Sequence, residues 1–433
     1  MTDNIRIANE MAACAKLAED HGQLFAADRL LDLACELDPE NSAYCTSRGL
    51  SKLRLGNVRL AGKCLARSLK LSPDNFSEWN NLFYTLRTTK QWDLLSKSCN
   101  RALKSGYRPA EVYMDLGTAL FHLGDRTQAE IAFQKSIAMT GEYRKIYSKL
   151  LQNGIANFNA RKITLDFLLT NEQAIREKIS IASADKYEPA DHKIFVYWGQ
   201  GFDSAPELVK ACYSQLTKNN SNVISIDNSN VDKYIEIPDY IKHNSHISMA
   251  HRSDVIRICL LARHGGVWID ATGYCIENLG HFFDSVGSDF FAYRSGDNQI
   301  SNWFLCSRSN SYISQAMATA LLHHWSVHEK ALDNFVFHHI FEGLTLIDSK
   351  FADYWNQVPN ISRSPALKLA RQLGNSYNEK VVDPILRASA VHKLTHKYSR
   401  KYKEQPFGPD SILNMIINGT VSTMIDGWKS DRD

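Results

Sequence analysis

A spacing of 34 residues recurs in the first third of the chain and constrains its fold more than any other feature. Pro39 and Pro73 are 34 positions apart, and each ends a segment with apolar residues at helical spacing. Other pairs have the same separation: Gly22 with Gly56, Ala27 with Ala61, and Ala34 with Ser68. Small residues at fixed positions allow helices to approach closely, so the spacing predicts a stack of similar helix pairs.

The clearest copy of the pattern spans residues 110–141, with Gly124 at the turn between two antiparallel helices. The copy before it is degenerate, because its turn carries Thr89 and Lys90 in place of glycine. About four units, residues 8–141, resemble tetratricopeptide repeats, which have this period. The resemblance implies an all-α solenoid over residues 1–141 with a concave groove. We expect the groove to bind a protein or glycan partner; the alternative is that the array only stabilises or dimerises the rest of the protein.

A change of pattern marks the second domain. Residues 142–190 continue at helical spacing and end in the polar run SADKYEPADH, which predicts a helical linker. From Lys193 onward, short apolar runs such as KIFVYW and NVISID are rich in strand-forming residues, and a helical pattern separates them. The order strand, helix, strand predicts a parallel α/β sheet in a domain that covers residues 191–433.

Composition excludes several functional classes. The 433 residues include 50 basic and 47 acidic side chains, a net charge of +3, so we expect no nucleic-acid partner. The nine cysteines form no CxxC pair, which predicts reduced thiols in a reducing compartment. The N-terminal segment lacks the features of a signal peptide, and charged residues interrupt the most apolar stretch, residues 255–276. We therefore expect a cytoplasmic protein without an integral membrane segment; peripheral association with the inner face of the membrane stays open.

A carboxylate ends one of the strand patterns of the second domain. The sequence MAHRSDVIRICLLARH predicts a helix that stops at Gly265 and Gly266, and VWID predicts a strand that ends at Asp270. Ligands of open α/β sheets bind at the carboxyl ends of strands, where a nucleotide and its metal would contact Asp270. The two glycines lack the flanking residues of a phosphate-binding loop, which favours the interpretation as a helix stop.

Two motifs lie on this helix and strand, Ser253-Asp254-x-x-Arg257 and Gly265-Gly266-x-x-x-Asp270. In this order and separation they resemble the capsular polysaccharide synthesis family, which is similar to the sugar transferases with a DXD motif. The resemblance runs essentially from residue 193 to 400 and implies a GT-A-type, Rossmann-like domain that binds a nucleotide sugar. It also implies transfer of a hexose to a growing surface or capsular polysaccharide, with retention of the anomeric configuration.

Three residues are candidates for contact with the donor. Asp254 and Arg257 face the same side of a helix and can contact one ligand together. The resemblance assigns both, as catalytic and donor-binding residues, to the ribose or sugar; the alternative is an ordinary ion pair within the helix. Trp198 follows the first strand, where related enzymes place an aromatic ring on the nucleotide base. For Trp198 the alternative is a core position at a strand end.

A nucleoside diphosphate leaving group carries concentrated negative charge, which a divalent cation on oxygen ligands usually neutralises. We expect Asp270 to bind that cation, Mn²⁺ or Mg²⁺, and to act in catalysis. The family carries a second carboxylate two residues later, but this chain has Thr272, a neutral and weaker ligand. The resemblance gives His392 as a further metal ligand and Lys393 as a phosphate partner. The alternative for this pair is an exposed basic strip that continues to Lys403.

Asp333 lies among aromatic residues in a helix-like stretch and is a candidate for binding sugar hydroxyls or the glycan acceptor. The neighbouring His338 and His339 point about 100° apart on a helix, so they are poor co-ligands and we interpret them as structural. Two other functions stay open for the whole protein. One is a weakly active or inactive scaffold whose repeats bind partners, with Thr272 as the mark of a decayed metal site. The other is a glycosyltransferase that modifies proteins.

Overall fold

The computed structural model describes residues 2–182, 192–295, 299–309, 311–397 and 408–430. The chain forms two compact units, Met1–Lys162 and Ile163–Asp433. In its described residues the first unit contains only helices, whereas the second combines helices with two β-sheets. The fold is the expected one, an all-α tetratricopeptide-like array followed by an α/β domain.

Four antiparallel helix pairs form most of the first unit. They are α1 (Thr2–Asp20) with α2 (Leu24–Leu37), α3 (Ser42–Arg54) with α4 (Val58–Leu71), α5 (Phe76–Thr88) with α6 (Trp92–Lys104), and α7 (Ala110–His122) with α8 (Arg126–Ala138). The turns within the pairs contain Gly22, Gly56, Lys90 and Gly124, with φ angles of 72°, 75°, 54° and 91°. This left-handed backbone favours glycine, because a Cβ atom clashes there. Lys90 therefore keeps the conformation of the glycine turns, and the degenerate unit is a true copy.

Close contact between paired helices depends on small residues. A Cβ atom added to Gly117 would lie 2.6 Å from the ring of Phe133, and one added to Gly49 would lie 2.8 Å from Leu65. The small residues predicted at helix contacts are fully buried: Ala27, Ala34, Ala61 and Ser68. After the four pairs come α9 (Arg144–Gln152) and α10 (Phe158–Thr170), and the ring of Phe158 lies 4.7 Å from that of Phe133. The first turn of α10 thus closes the core of the first unit.

The second unit begins within α10 and contains the remaining elements. In chain order they are α11 (Glu172–Ala182), β1 (Ile194–Tyr197), α12 (Glu207–Asn219), β2 (Val223–Ile226), α13 (Asp239–Lys242), α14 (Met249–His264), β3 (Gly266–Asp270), β4 (Gly273–Cys275), α15 (Leu279–Val286), β5 (Phe290–Arg294), β6 (Ile300–Ser307), α16 (Tyr312–Val327), α17 (Val336–Ile347), α18 (Ser349–Gln357), α19 (Glu379–Arg387), β7 (Val391–Lys393), α20 (Ile412–Ile417) and α21 (Thr420–Ser430). Five short 3₁₀ turns in the described residues connect elements of the chain.

The main sheet has five strands in the order β2-β1-β3-β6-β5. β1 runs parallel to β2 and β3, whereas β6 is antiparallel to both β3 and β5. The parallel sheet expected from the sequence is therefore limited to three strands. The short connection between β5 and β6 allows only antiparallel pairing. Tyr197 lies opposite both Ile226 and Asp270, so the three parallel strands end at one edge, which we call the carboxyl edge.

A second, two-stranded sheet pairs β4 with β7, with Gly273 opposite Lys393 and Tyr274 opposite His392. A Cβ atom on Gly273 would lie 2.5 Å from Ile269, so the tight turn from β3 into β4 requires glycine. The small sheet belongs to a second hydrophobic core that also receives side chains from α12, α19, α20 and α21. Its pairing returns the late part of the chain to the end of β3.

The segment predicted as a helical linker, residues 142–190, is divided between the two units in its described part. Phe167 and Leu168 on α10 join the main core of the second unit, and α11 packs on α16. These helices therefore belong to the folded units and do not merely connect them. Residues 183–191 of the polar run lie outside the described residues.

All nine cysteines are free thiols, and all except Cys14 and Cys259 are buried. Burial raises the pKa of the Cys35 and Cys212 thiols to about 12, so both are uncharged core residues. The absence of disulfides agrees with the cysteine pattern of the sequence. Among the described residues, no helix combines the length and the apolar character that crossing a bilayer demands.

Candidate functional site

Helix α14 places three buried polar residues on one stripe. His251, Asp254 and Arg257 are 4%, 5% and 5% exposed, and their spacing of three aligns them along the helix. Arg257 lies at the centre of a polar group that extends to Asp270, at the end of β3. The sequence predicted that Asp254 and Arg257 share a face, and the tertiary structure adds the strand carboxylate to them.

Arg257 uses its guanidinium to join four partners. Its Nη1 lies 3.0 Å from the Asn302 carbonyl oxygen and 2.8 Å from the Asp254 carboxylate. Its Nη2 lies 3.2 Å from Asp270 Oδ1 and donates to Ser253 Oγ at 3.0 Å. The intrahelical ion pair, our alternative interpretation, is thus present, but Arg257 also bridges to the strand. A planar guanidinium can hold several oxygens at once, which a lysine ammonium does less well.

Asp270 receives hydrogen bonds from three side chains. Oδ1 accepts from Trp268 Nε1 at 3.0 Å as well as from Arg257, and Oδ2 accepts from Lys393 Nζ at 2.6 Å. Trp268 and Asp270 are two residues apart on β3 and share a face of the strand. The Asp270 side chain is 23% exposed, whereas that of Asp254 is 7% exposed. Asp270 is therefore the carboxylate of the group that a ligand can reach.

Lys393 comes to this group from the far end of the domain. Its Nζ donates to Asp270 Oδ2 at 2.6 Å and to Thr272 Oγ1 at 2.9 Å, and its side chain is 25% exposed. The backbone supports this position, since Gly273 pairs with Lys393 and Leu394 N donates to the Thr272 carbonyl at 2.8 Å. We call Asp254, Arg257, Asp270 and Lys393 the charged cluster.

The two carboxylates of the charged cluster have different pKa values. Burial raises the pKa of Asp254 to about 6, because Arg257 only partly compensates for the lost water and Asp270 adds repulsion. Burial also acts to raise the pKa of Asp270, but Lys393 and Arg257 outweigh it and hold that pKa below its usual range. Asp270 is therefore ionised at neutral pH, while Asp254 titrates near pH 6. Above that pH the two carboxylates and the two cations balance.

Trp198 lies at the same edge of the sheet. It follows β1 directly, its backbone N donates to the Ile226 carbonyl at 3.0 Å, and its ring is half-buried. The His396 ring meets it edge-on at 5.4 Å. The chain after β7 therefore contacts both Asp270, through Lys393, and Trp198, through His396. The predicted role of Trp198 under a nucleotide base stays a prediction, and its ring is accessible at the carboxyl edge.

A cavity of about 260 Å³ lies beside the ends of β1 and β2. Its walls combine apolar side chains, such as Ile237 and Ile241, with the polar Asn228, Lys242 and Arg252. Apolar walls with a few polar groups are typical of sites for small ligands. Tyr197, which pairs with Asp270 in the sheet, also lines this cavity, so the cavity and the charged cluster share the carboxyl edge.

His392 does not lie in the charged cluster, contrary to its prediction as a metal ligand. Its side chain is fully buried, and its Nε2 donates to the Leu386 carbonyl at 3.0 Å. Neighbouring residues of a strand point to opposite faces, so the position of Lys393 beside Asp270 turns His392 away. Burial lowers the pKa of His392 to about 4 and keeps it neutral. The later part of the basic strip, residues 398–407, lies outside the described residues.

The expected Mn²⁺ or Mg²⁺ site has too few ligands. Asp270 supplies one carboxylate and Thr272 one hydroxyl, and Lys393 Nζ is bonded to both. Among the described residues, no three side chains of His, Cys, Asp or Glu are placed to hold a metal ion. Hard divalent cations require several oxygen ligands, with anionic ones contributing most. The residues present do not fit a resident divalent cation.

Asp333 lies in the turn before α17, and not within a helix as expected. Its carboxylate accepts from Phe335 N at 2.7 Å and from His339 Nε2 at 2.9 Å, and it is 25% exposed. Its backbone carbonyl accepts from His251 Nε2 at 3.1 Å, which joins it to the stripe on α14. Asp333 is therefore near the charged cluster, but its carboxylate is bonded to His339 and not to Asp270. Its role toward an acceptor stays a prediction.

Three residues near the charged cluster were not assigned from the sequence. Asn302 Nδ2 donates to Asp254 Oδ1 at 2.8 Å, and the Arg257 guanidinium lies 5.2 Å from the ring centre of Trp268. Burial lowers the pKa of His338 to about 4, and Arg257 contributes to that shift. His338 Nδ1 and Arg257 Nε are buried without a hydrogen-bond partner among the described residues. The spacing of two between Trp268 and Asp270 was a readable signal, whereas the other contacts required the tertiary structure.

The fold and site define an α/β domain with a charged cluster at the carboxyl edge of its parallel strands, preceded by a helical repeat array. Residues 144–416 match the family described as "Capsular polysaccharide synthesis protein". That match covers more than half of the chain, and the chain belongs to this family. Residues 110–143 match the tetratricopeptide repeat, at the copy that the sequence pattern showed most clearly.

Individual relatives are more distant. "Uncharacterized glycosyltransferase L373" of Acanthamoeba polyphaga mimivirus is 28% identical over 110 residues, which cover 22% of this chain and 41% of the viral protein. The chain thus spans less than half of that relative. Among solved structures, "MamA 41-end from Desulfovibrio magneticus RS-1" is 19% identical, with a TM-score of 0.29, over 36% of this chain and 85% of that one. "Crystal structure of MamA protein" is 18% identical, with a TM-score of 0.31, over 40% and 96%. These two likenesses carry no weight for function.

Proposed function

We propose that this protein is a glycosyltransferase that moves a hexose from a nucleotide-sugar donor to a growing surface or capsular polysaccharide. Membership of the capsular polysaccharide synthesis family and the description of the viral relative support the class of activity. The observation that carries the proposal is the charged cluster at the carboxyl edge of β2, β1 and β3. Nucleotides bind at this edge in open α/β sheets, and a GT-A-type arrangement follows from it.

In this proposal the parts of the carboxyl edge contact different parts of the donor. The ring of Trp198 stacks on the base, because it is accessible beside the cavity at the strand ends. Asp270 accepts hydrogen bonds from donor hydroxyls, and Lys393 faces the diphosphate. Arg257 and Asp254 are 6% and 7% exposed, so they contact the donor only at their edges. Their larger effect is to hold Asp270 in position.

The acceptor side follows the same reasoning. Asp333 lies one turn of α14 away from Asp254, through its contact with His251, and we propose that it binds acceptor hydroxyls. The repeat array provides a groove for the glycan or for a protein of the assembly machinery. We propose retention of the anomeric configuration and action in the cytoplasm, with peripheral association at the inner face of the membrane.

A ligand screen tests the donor. The purified full chain is mixed with UDP-, GDP- and CMP-sugars, and its thermal unfolding is followed. A nucleotide sugar that binds the folded protein raises the unfolding temperature by mass action. We expect one class of donor to do so and to be hydrolysed slowly to free sugar and nucleoside diphosphate. Failure of every donor to bind would support the scaffold hypothesis in place of the enzyme.

A pair of variants controls this screen. Asp270→Asn removes the accessible carboxylate of the charged cluster and is expected to abolish both stabilisation by the donor and its hydrolysis. Asp353→Asn makes the same chemical change at an exposed position on α18 and should leave both unchanged. Mass spectrometry of glycans and of cell proteins incubated with enzyme and donor then identifies the acceptor. Label found on proteins would favour the protein-modifying alternative.

A further inference from the structure

We propose that the Lys393 ammonium, and not a divalent cation, neutralises the diphosphate leaving group, so that transfer by this protein does not require a metal. The inference rests on the proposed function, since it assumes a nucleotide-sugar donor at the carboxyl edge. It begins with the position of Lys393 Nζ, 2.6 Å from Asp270 Oδ2 and 2.9 Å from Thr272 Oγ1. A cation shared by these two oxygens would have to displace the ammonium.

The remaining ligands do not compensate for that displacement. Asp270 Oδ1 is already bonded to Arg257 and Trp268, and Asp254 is bonded to Arg257 and Asn302. His392 points away into the core. A divalent ion beside Lys393 and Arg257 would meet two positive charges with one accessible carboxylate to offset them, and at these distances like charges repel strongly. The protein thus holds an internal cation where a metal has too few ligands.

Lys393 has capacity left for a phosphate. An ammonium has three N–H donors, and two of them are directed to Asp270 and Thr272. The third is free of protein partners in the contacts of the described residues, and the side chain is 25% exposed. A phosphate oxygen is the stronger acceptor for such a donor, because both groups are charged. Thr272 suits this arrangement, since its hydroxyl orients the lysine without adding the charge that would attract a metal.

The backbone holds the ammonium in place before the donor arrives. Lys393 is the last residue of β7, paired with Gly273, and Leu394 N donates to the Thr272 carbonyl at 2.8 Å. These bonds tie both partners of the ammonium, Asp270 and Thr272, to the strand that carries it. Charges fixed in position beforehand stabilise developing charge without reorganisation during the reaction.

The group-transfer step balances with a lysine that stays protonated. The bond between the sugar C1 and the phosphate oxygen breaks, and its electron pair remains on the departing diphosphate. The acceptor hydroxyl oxygen, or water in the hydrolytic side reaction, forms the new bond to C1, and its proton is released to solvent. Lys393 keeps its three protons and offsets the negative charge that accumulates on the diphosphate.

The test compares activity with and without metal. The full chain is assayed for hydrolysis of UDP-glucose, UDP-galactose and GDP-mannose in EDTA, in Mg²⁺ and in Mn²⁺, and binding of UDP and GDP is measured calorimetrically in EDTA. We expect the rate in EDTA to be within about twofold of the rate in Mn²⁺, and one nucleotide to bind in EDTA. A rate that falls at least tenfold in EDTA and returns with Mn²⁺ would overturn the inference and leave the proposed function standing. No binding of any nucleotide or sugar donor would overturn both.

Variants give a second readout that a merely structural lysine would not move. Lys393→Ala should lose at least 30-fold in hydrolysis, Lys393→Arg should retain part of the rate, and Lys368→Ala, at an exposed lysine, should change nothing. In the double variant Lys393→Ala with Thr272→Asp, the ammonium is gone and a second carboxylate is present. We expect Mn²⁺ to raise its rate at least tenfold over its own rate in EDTA. If the alanine variants do not fold, as circular dichroism would show, the chelator experiment on the unaltered chain still decides.

Discussion

Ion pairs in the repeat array connect nearby parts of the sequence, whereas those of the charged cluster connect distant ones. Lys52 and Asp28 pair at 2.6 Å and are 24 residues apart. Lys393 and Asp270 pair at the same distance of 2.6 Å but are 123 residues apart. A repeat of 34 residues places its charged partners on neighbouring helices, so its electrostatics are local. The α/β unit gathers its charges from a helix, a central strand and a late strand.

Exposure separates the two kinds of ion pair further. Lys52 and Asp28 have side chains 7% and 12% exposed, while Lys393 and Asp270 are 25% and 23% exposed. The first pair lies among packed helices, and the second lies at the carboxyl edge of the sheet. A buried ion pair alone therefore does not identify a functional site. Charges that are fixed by the fold and still reach solvent at a strand end do.

Removing one cation from each unit should break this comparison most strongly. Arg257→Ala should lower donor hydrolysis at least 100-fold, equivalent to about 3 kcal/mol of transition-state stabilisation, because Asp270 loses a partner that positions it. Lys52→Ala should destabilise the repeat unit by roughly 3 kcal/mol, since it leaves Asp28 buried without its partner. Its hydrolysis rate should not change. Equal loss of activity in both variants would show that both act through folding alone.

A methyl group at Gly117 tests packing in the repeat array. Its Cβ atom would lie 2.6 Å from the Phe133 ring, so Gly117→Ala should destabilise the first unit by about 2 kcal/mol, a typical cost of overpacking. Chemical denaturation followed by circular dichroism measures the change. Adding Phe133→Leu removes the ring atoms that clash and should recover part of the loss. If the double variant is no more stable than the single one, the contact is not the cause.

The pH dependence of stability should report on Asp254. Its pKa of about 6 in the folded protein lies above that of an unfolded aspartate, so the folded state binds the proton more tightly. The contribution of Asp254 to stability is therefore fully present below about pH 4 and is lost as the pH rises through about 6. Asp254→Asn cannot titrate. Its unfolding free energy relative to the unaltered protein should rise by on the order of 2 kcal/mol across this window. A constant difference from pH 4 to pH 7 would contradict the shifted pKa.

Trp198→Ala should weaken donor binding by about 1 to 2 kcal/mol if the ring stacks on the base. The matched control is Trp428→Ala, because Trp428 is also half-buried and lies under Arg387 on α21, away from the carboxyl edge. Calorimetry with the nucleotide that binds the unaltered chain measures both. Unchanged affinity in Trp198→Ala would assign this residue to the core.

The smallest effect is expected from separating the units. A chain of residues 153–433 keeps α10 and α11, which contribute Phe167 and Leu168 to the core of the second unit. It should hydrolyse the donor at the rate of the full chain, while transfer to the natural acceptor falls. Insoluble protein, or loss of donor hydrolysis in soluble protein, would show that the repeats are needed for the site itself.

The repeat array was predictable because its signals are local. The spacing of 34 residues located four helix pairs, and even Lys90 kept the left-handed turn of the glycines at equivalent positions. The association of Asp254 and Arg257 was predictable for the same reason, since three residues apart on a helix means one face. The mixed sheet was not, because the pairing of β6 with β3 depends on which edge of the parallel strands the later chain reaches.

The sequence by itself determined the helix pairs, the two motifs on α14 and β3, and the absence of a second carboxylate at Thr272. Only the tertiary structure decided which of two neighbouring residues, His392 or Lys393, faces Asp270. Alternation along β7 and its register with β4 make that choice, and they turn the imidazole into the core and the ammonium to the carboxylate. Contacts across 123 residues depend on strand pairing, and a one-residue shift of register would reverse them.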